Sequence, residues 1–295
     1  MTLTEQLVNT RVSAVVSIAR DAAAAQRSAT ALEDGDVLLV TDAAFDADAS
    51  ERELFTPAIA GSSKNVSYDP AARRVDGSAA SGRALDVLTA MLARFSDGAR
   101  ALVDELLPRY RGRIARRRAS FRPVEIAGRA TSWRKDDTRL HIDAFPASPV
   151  QGRRILRVFT NVNPAGRPRV WRIGGRFEAI AERFAPCLRA PMPGSASLLH
   201  WLHVTKSRRT PYDALMLQLH DRMKEDAAFQ RDSPQTTVDF APGSTWIAFT
   251  DQVAHAAMAG QYQLEQTFLL PVDAMEDQAR APLRILERLK GRVLA

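Results

Sequence analysis

Residues 140–146 read Leu140-His141-Ile142-Asp143-Ala144-Phe145-Pro146, in which one imidazole and one carboxylate interrupt an apolar stretch. Such a stretch is typical of an extended segment, where residues i and i+2 point to the same side. The side chains of His141 and Asp143 can therefore reach one ion together. A chain of 295 residues with five His and 34 Asp and Glu readily contains such a pair by chance, so the pair needs support from the rest of the sequence.

A second imidazole lies far downstream, after a turn and an apolar strand. Pro242-Gly243 predicts the turn, residues 245–249 predict the strand, and His255 begins the next short strand. Two imidazoles and one carboxylate make up the facial triad of non-haem iron(II) oxygenases, which leaves coordination positions open. We therefore predict that His141, Asp143 and His255 are the metal ligands and form the catalytic centre.

The composition is that of an ordinary soluble globular protein, with 45% hydrophobic residues and a mean hydropathy of −0.22. Cys187 is the only cysteine, which rules out an intrachain disulfide and favours a reducing compartment. The first residues lack the pattern of a secretion signal, and no apolar run is long enough to span a bilayer. We predict a cytoplasmic protein.

The charge of the chain is strongly basic, with a net charge of +7 and a pI near 10.0. Such an excess favours anionic partners without choosing among nucleic acid, phosphorylated lipid and acidic sugar. Seven arginines cluster without any acidic residue between them: Arg109, Arg111, Arg113, Arg116, Arg117, Arg118 and Arg122. This run is either a solvated surface or a docking patch for phosphates or carboxylates.

The order of helical and strand patterns predicts the architecture. Helical spacing over residues 85–107, broken at Asp97-Gly98, predicts two amphipathic helices, and residues 11–26 predict a surface helix. From residue 124 short strands separated by Gly and Pro turns predominate, with a return to helical spacing between about 176 and 226. The pattern predicts a mainly β fold with flanking helices and a double-stranded β-helix, or jelly-roll, core.

We predict a single domain with internal parts. They are an N-terminal strand and helical buttress over residues 1–123, the jelly-roll core over 124–271 with a helical insertion at about 176–230, and a basic amphipathic C-terminal helix within 272–295.

Two blocks, residues 133–146 and 154–164, resemble the Kdo hydroxylases, and the resemblance continues through residues 169–172 to His255. The resemblance implies an Fe(II)- and 2-oxoglutarate-dependent dioxygenase that uses O2 to hydroxylate 3-deoxy-D-manno-oct-2-ulosonic acid (Kdo) at carbon 3 in the inner core of lipopolysaccharide. It implies Kdo-containing lipid A as the substrate. A lipid substrate predicts peripheral attachment to the cytoplasmic face of the inner membrane, through the arginine run or the C-terminal helix.

The residues that bind 2-oxoglutarate depart from the family pattern. Many relatives hold its distal carboxylate with a cation about ten residues after the second histidine, but no Lys or Arg lies between His255 and Arg280. A dicarboxylate still needs a cation in a dry pocket. Strand alternation favours Arg157 as that cation and Asn161 as a hydrogen-bond donor, with Gln266 assisting. Arg134 and Arg176 are alternative cations.

Substrate contacts are predicted at Arg169, Trp171 and Arg172, where two arginines flank an aromatic ring that can stack on a sugar. The alternative is a strand whose polar side faces water. His200 and His203 have a spacing that could suit a metal, although a packing or substrate-contact role is favoured, and His220 is interpreted as a surface or capping residue.

Two other functions fit the same composition. One is an oxygenase of this fold that acts on nucleic acid, although no helix-turn-helix or zinc-finger pattern supports a nucleic-acid partner. The other is a non-catalytic basic binding module. The oligomeric state is not predicted.

Overall fold

Two β-sheets form the centre of the fold in the computed structural model, which describes residues 11–21, 23–61, 63, 65–129 and 131–295. The main sheet contains, in spatial order, β1 (Val15–Ile18), β2 (Val37–Val40), β9 (Thr245–Phe249), β6 (Arg154–Asn161), β11 (Gln263–Leu270), β5 (Ala115–Arg122), β3 (Val66–Asp69) and β4 (Arg74–Asp76). The small sheet contains β10 (His255–Ala259), β7 (Arg169–Gly174) and β8 (Gln235–Phe240). Neighbouring strands are antiparallel, except for the parallel pair of β1 and β2.

The chain passes back and forth between the two sheets from β5 onward. Strand β5 lies in the main sheet, His141 forms a bridge to His255 at the edge of the small sheet, and β6 returns to the main sheet. Strands β7 and β8 then lie in the small sheet, followed by β9 in the main sheet, β10 in the small sheet and β11 in the main sheet. This is the predicted jelly-roll topology.

The extended segment predicted at residues 140–146 pairs with another strand only through the single bridge at His141. The Asp136 carboxylate accepts hydrogen bonds from the N–H and the hydroxyl of Thr138, which stabilises a turn just before the bridge. The Asp143 N–H donates to the Thr250 carbonyl at 2.7 Å. The segment therefore stays extended at the two ligand positions without a full ladder.

The main sheet is covered on both faces, which explains why its central strands are buried throughout. Every residue of β11 is buried, and in β6 only Arg157 is partly exposed. A long helix over Gly82–Leu106 packs on the outer face against Phe121 and Leu264. On the inner face an aromatic cluster joins the two sheets through Phe159, Trp171, Phe240 and Trp246. A rigid scaffold thus surrounds the opening between the sheets.

Helices surround the sheets as α1 (Ala24–Glu33), α2 (Ala49–Arg52), α3 (Gly82–Leu106), α4 (Phe177–Phe184), α5 (Ser195–Trp201), α6 (Pro211–Glu225), α7 (Ala227–Asp232) and α8 (Pro282–Lys290). Helix α3 runs without a break through Asp97-Gly98, where two helices were expected. A helical glycine costs only about 1 kcal/mol relative to alanine, and the buried stripe from Leu88 to Leu106 outweighs that cost. The helix predicted over residues 11–26 is also wrong, because β1 pairs with β2 and α1 begins at Ala24.

Four helices, α4 to α7, lie between β7 and β8, where the sequence predicts a helical insertion. The first core strand, β5, precedes the predicted core boundary at residue 124. The sequence did not predict β5 as a strand because arginines interrupt its apolar pattern. Within it, Ala119 and Phe121 face the core and alternate with polar residues. Among the described residues no helix combines the length and apolarity needed to cross a bilayer.

Candidate metal centre

The jelly roll brings the three predicted metal ligands together. His141 and His255 are cross-strand partners that exchange backbone hydrogen bonds of 3.0 and 2.8 Å. Asp143 follows two residues later on the same side, and the candidate ligand atoms of the three residues lie within 4.8 Å of one another. Within the described part of the chain, no other group of three His, Cys, Asp or Glu side chains could hold a metal ion.

Hydrogen bonds to backbone carbonyl oxygens orient both imidazoles. The Nδ1 atom of His141 lies 2.7 Å from the Arg139 carbonyl oxygen, and Nδ1 of His255 lies 2.9 Å from the Val253 carbonyl oxygen. Because a carbonyl only accepts hydrogen bonds, each Nδ1 carries the proton and each Nε2 presents its lone pair. Burial lowers the pKa of both histidines, so both rings are neutral and ready to bind a metal at neutral pH.

The Asp143 carboxylate is held ionised. Burial alone would raise its pKa, but burial is outweighed by the Arg157 guanidinium, by the two histidines, which are protonated in the acidic range where Asp143 titrates, and by the polar Thr250 side chain. Together they bring the pKa of Asp143 far below its usual range. The Arg157 Nη1 atom lies 3.3 Å from Asp143 Oδ2 and 3.2 Å from Glu265 Oε1. Arg157 therefore bridges the carboxylate of Asp143, a predicted metal ligand, and a second carboxylate on β11.

Two aromatic side chains support the imidazole rings. Trp171 stacks on His255 with a centroid distance of 5.0 Å and an interplanar angle of 22°. His220, on α6, packs edge-on against His141 with a centroid distance of 5.4 Å. The interpretation of His220 as a surface or capping residue is wrong, because its side chain is 13% exposed and packs against a predicted metal ligand. His200 and His203 lie on the exposed surface at and after α5.

A charged pocket adjoins the three ligands. Arginines reach it from three strands, Arg122 from β5, Arg157 from β6 and Arg169 from β7, and carboxylates from Asp137, Asp143 and Glu265 line it as well. The charges of these three arginines and three carboxylates cancel when neither metal nor co-substrate is bound. An iron(II) ion would add two positive charges, which a dicarboxylate such as 2-oxoglutarate would cancel.

Arg169 is the cation whose charge is least compensated in this pocket. It is 2% exposed, and its Nη1 donates to the Gly260 carbonyl, while its Nε has no hydrogen-bond partner in the structure. Burial and the neighbouring Arg122 lower its pKa to about 9, so it is still protonated at neutral pH. Other buried donors without partners point the same way: Arg157 Nε and Trp171 Nε1. The donor set therefore fits a polar, anionic co-substrate.

Three predicted binding residues do not line the pocket. The Asn161 amide donates to the Arg167 and Phe240 carbonyls and so stabilises the turn after β6. Gln266 points to the outer face of β11, where it accepts from Ser96 on α3. Arg172 donates to the Thr138 carbonyl and also lies outside the pocket.

The alternative cations also lie outside the pocket. Arg134 pairs with Asp221 at 3.3 Å, and Arg176 pairs with Asp36 at 2.6 Å. Arg157, Arg169 and Trp171 are the predicted co-substrate and substrate residues that do line it.

Sequence reasoning missed Arg122, Glu265 and Gln263 as pocket residues. Strand alternation in β11 places Gln263 and Glu265 inward when Gln266 faces outward, so the signal was present once the register was known. Glu265 stands near the position where many relatives carry a cation, and Arg122 donates to it at 2.8 Å. Arg122 was grouped with the surface arginines because strand β5 was not recognised.

A jelly roll with two neutral imidazoles and one carboxylate at its opening, beside a cation-lined pocket, defines the class of non-haem iron(II), 2-oxoglutarate-dependent dioxygenases. The model of one family, described as 3-deoxy-D-manno-oct-2-ulosonic acid (Kdo) hydroxylase, matches residues 16–293. The chain belongs to the Kdo hydroxylase family. The resemblance in the sequence is thereby confirmed, and the interpretation as a non-catalytic module is wrong.

Solved structures of the Kdo hydroxylase KdoO agree with this assignment. The complex of KdoO with cobalt(II) is 42% identical, with a TM-score of 0.92 over 95% of this chain and 97% of that chain. The complex with alphaketoglutarate and Fe(III) is 41% identical, with a TM-score of 0.92 over 96% and 98% of the two chains. A search of curated proteins found no match. The cofactors predicted for this enzyme are thus those of its structural neighbours.

Proposed function

We propose that this dioxygenase hydroxylates Kdo at carbon 3 in the inner core of lipopolysaccharide, with Kdo-containing lipid A as substrate. The observation that carries the proposal is the triad beside a pocket whose arginines suit a dicarboxylate, in a chain of this family. Bound iron(II) with 2-oxoglutarate and O2 supplies the oxidation. One oxygen atom enters a substrate C–H bond, the other enters succinate, and carbon dioxide is released.

The protein supplies ligation, orientation and charge. The Nε2 atoms of His141 and His255 and the Asp143 carboxylate would hold iron. Arg169 would hold the distal carboxylate of 2-oxoglutarate, because its charge is least compensated, and Arg157 would keep Asp143 ionised and in place. Trp171 stacked on His255 would prevent ring rotation, while its predicted contact with the sugar stays a prediction.

The proposal is tested by aerobic turnover of Kdo-lipid A with iron(II) and 2-oxoglutarate. We expect the lipid to gain one oxygen atom per succinate formed, and NMR of the released sugar to place the hydroxyl on carbon 3. Oxygen on another carbon would contradict the regiochemistry. Turnover of a methylated oligonucleotide in place of the lipid would establish the nucleic-acid alternative.

We also propose that the enzyme touches the inner membrane through an exposed apolar cluster on the helical insertion. The cluster consists of residues at and around α5, with their exposures: Met192 78%, Leu198 54%, Trp201 73%, Leu202 52% and Val204 51%. Arg189 and Arg208 flank the cluster and are exposed. Apolar side chains beside cations suit an anionic lipid surface.

The two attachments expected from the sequence have less support than this cluster. Most of the arginine run is paired with protein oxygens, as described below. Helix α8 turns its apolar residues Leu283, Ile285 and Leu286 into the core. The apolar cluster is therefore the surface we assign to the lipid.

The double substitution Leu198→Asp and Trp201→Asp is expected to lower binding to vesicles of anionic phospholipid by at least about tenfold, because burying each side chain contributes about 1.5–3 kcal/mol. Vesicle co-sedimentation measures the binding. Val293→Asp is the matched control, since Val293 is 78% exposed but lies near the C-terminus, outside the cluster. Equal sedimentation of the double variant and the wild type would contradict the proposal.

A further inference from the structure

A second cavity of about 510 Å³ lies beside the metal pocket. One wall is residues 116–118 of β5, and another is the loop over residues 145–149 that follows the metal ligand Asp143. Arg153 and Lys206 complete its charged lining. We call this cavity the cationic groove.

The cationic groove contains the unpaired part of the arginine run. The other six arginines of the run have partners: Arg109 and Arg111 donate to carbonyls, and Arg113, Arg116, Arg118 and Arg122 pair with Asp273, Asp97, Asp76 and Glu265. Arg117 and Lys206 are exposed and form no ion pair with any described residue. Arg153 is half-buried and its Nε donates to the Val150 carbonyl, but it too forms no ion pair among the described residues. Asp69 is the one acidic residue of the lining, and it lies 3.6 Å from Arg118. The groove therefore carries an uncompensated positive charge.

A thin partition separates the cationic groove from the metal pocket. Phe145 lines the groove, and the Arg157 guanidinium lies 5.4 Å from the centre of its ring. The same guanidinium contacts Asp143. Along β11, Glu265 lines the metal pocket and Thr267 lines the groove. The groove and the metal pocket are therefore neighbours, separated by the Phe145 and Arg157 side chains.

The groove also adjoins the proposed membrane surface. The backbone N–H of Lys206 donates to the Ala147 carbonyl at 2.9 Å. This hydrogen bond holds the segment after the apolar cluster against the wall of the groove. A lipid-linked substrate would thus pass from the apolar cluster along the groove to the metal.

We propose that the cationic groove binds a second anionic group of the lipid-linked substrate, a phosphate or the carboxylate of a neighbouring acidic sugar. This inference rests on the proposed function and adds a specificity site to it. Guanidinium and ammonium groups without protein partners bind phosphate and carboxylate oxygens through charge-assisted hydrogen bonds. The groove would then select substrates by an anion that the metal centre never touches.

The test is the double substitution Arg117→Gln and Lys206→Gln, assayed with Kdo-lipid A. We expect KM for the lipid to rise at least tenfold. The kcat at saturating lipid, the slow consumption of 2-oxoglutarate without lipid and the visible band of the iron(II)–2-oxoglutarate complex should not change. Arg83→Gln is the matched control, because Arg83 is exposed, outside the groove and without an ion pair among the described residues.

Modified substrates identify the anion. If the groove binds a phosphate, dephosphorylated lipid should show the raised KM with wild-type enzyme and no further rise with the double variant. If it binds a sugar carboxylate, lipid with a single Kdo should instead show the raised KM with wild-type enzyme, and the double variant should raise it no further.

An unchanged KM for intact lipid in the double variant would overturn the inference. An equal rise for every form of the lipid would also overturn it, since the cations would then act by general attraction. Failure of the proposed function is a separate result, because wild-type enzyme would then not hydroxylate the lipid at all.

Discussion

Replacing Asp143 by alanine is expected to abolish hydroxylation while the fold persists. Removing a contact behind a metal ligand typically costs 10–100-fold in metal affinity or activity, so loss of the sole anionic ligand should lower kcat by more than about 100-fold. The folded state should survive because Arg157 keeps Glu265 as its partner at 3.2 Å. Product formation measures the first effect, and thermal unfolding of the metal-free protein measures the second.

An anaerobic titration separates metal loss from other causes. Wild-type protein with iron(II) and 2-oxoglutarate should develop the weak visible charge-transfer band of the chelated co-substrate, and neither Asp143→Ala nor His255→Ala should do so. Asp232→Ala is the control, since Asp232 pairs with Arg231 on the exposed surface. A normal band and near-wild-type turnover in Asp143→Ala would remove Asp143 from the metal centre.

The substitution Arg169→Gln is expected to raise KM for 2-oxoglutarate at least about 30-fold, since removing one partner of a buried charge pair costs about 2–5 kcal/mol. The affinity for lipid should change far less, because the proposed lipid contacts lie in the cationic groove. Steady-state kinetics with each substrate varied in turn measures both effects. Arg172→Gln is the matched control, because Arg172 lies on the same strand but outside the pocket.

Arg157→Gln distinguishes Arg157, which the sequence predicts as the partner of the distal carboxylate, from Arg169, which the pocket favours. Arg157 contacts Asp143 and Glu265, so its loss should mainly weaken iron binding, by about 10–100-fold. If Arg157→Gln instead raises KM for 2-oxoglutarate and Arg169→Gln does not, the distal carboxylate belongs to Arg157, as the sequence predicts.

The charges in this pocket also explain the departure from the family pattern on the last strand. Glu265 occupies the region where many relatives place a cation, and the cations come from Arg122, Arg157 and Arg169 on other strands. The total charge required by iron(II) and a dicarboxylate can thus be reached by a different distribution of side chains. A search for a basic residue on β11 alone finds none.

The sequence by itself determined the jelly-roll class and the family, and it predicted the three metal ligands that the fold brings together. Each of these depends on short-range patterns: the i, i+2 relation of His141 and Asp143, the turn before residues 245–249, and the sequence motifs within residues 133–164. A period of two residues is visible without knowledge of any partner strand. The family model and the KdoO structures confirmed the class and the family.

Only the tertiary structure decided which polar side chains face the pocket. Asn161 was placed on the correct strand, but its amide is used by the turn after β6, and Gln266 lies on the opposite face from Glu265. Strand register depends on pairings between residues more than 100 positions apart, such as Arg157 with Thr267. The same pairings turned most of the arginine run into ion pairs, and among the described residues they left Arg117 in the cationic groove without one. Local periodicity cannot contain this information, because a side chain's partner and its facing depend on which distant strand lies beside it.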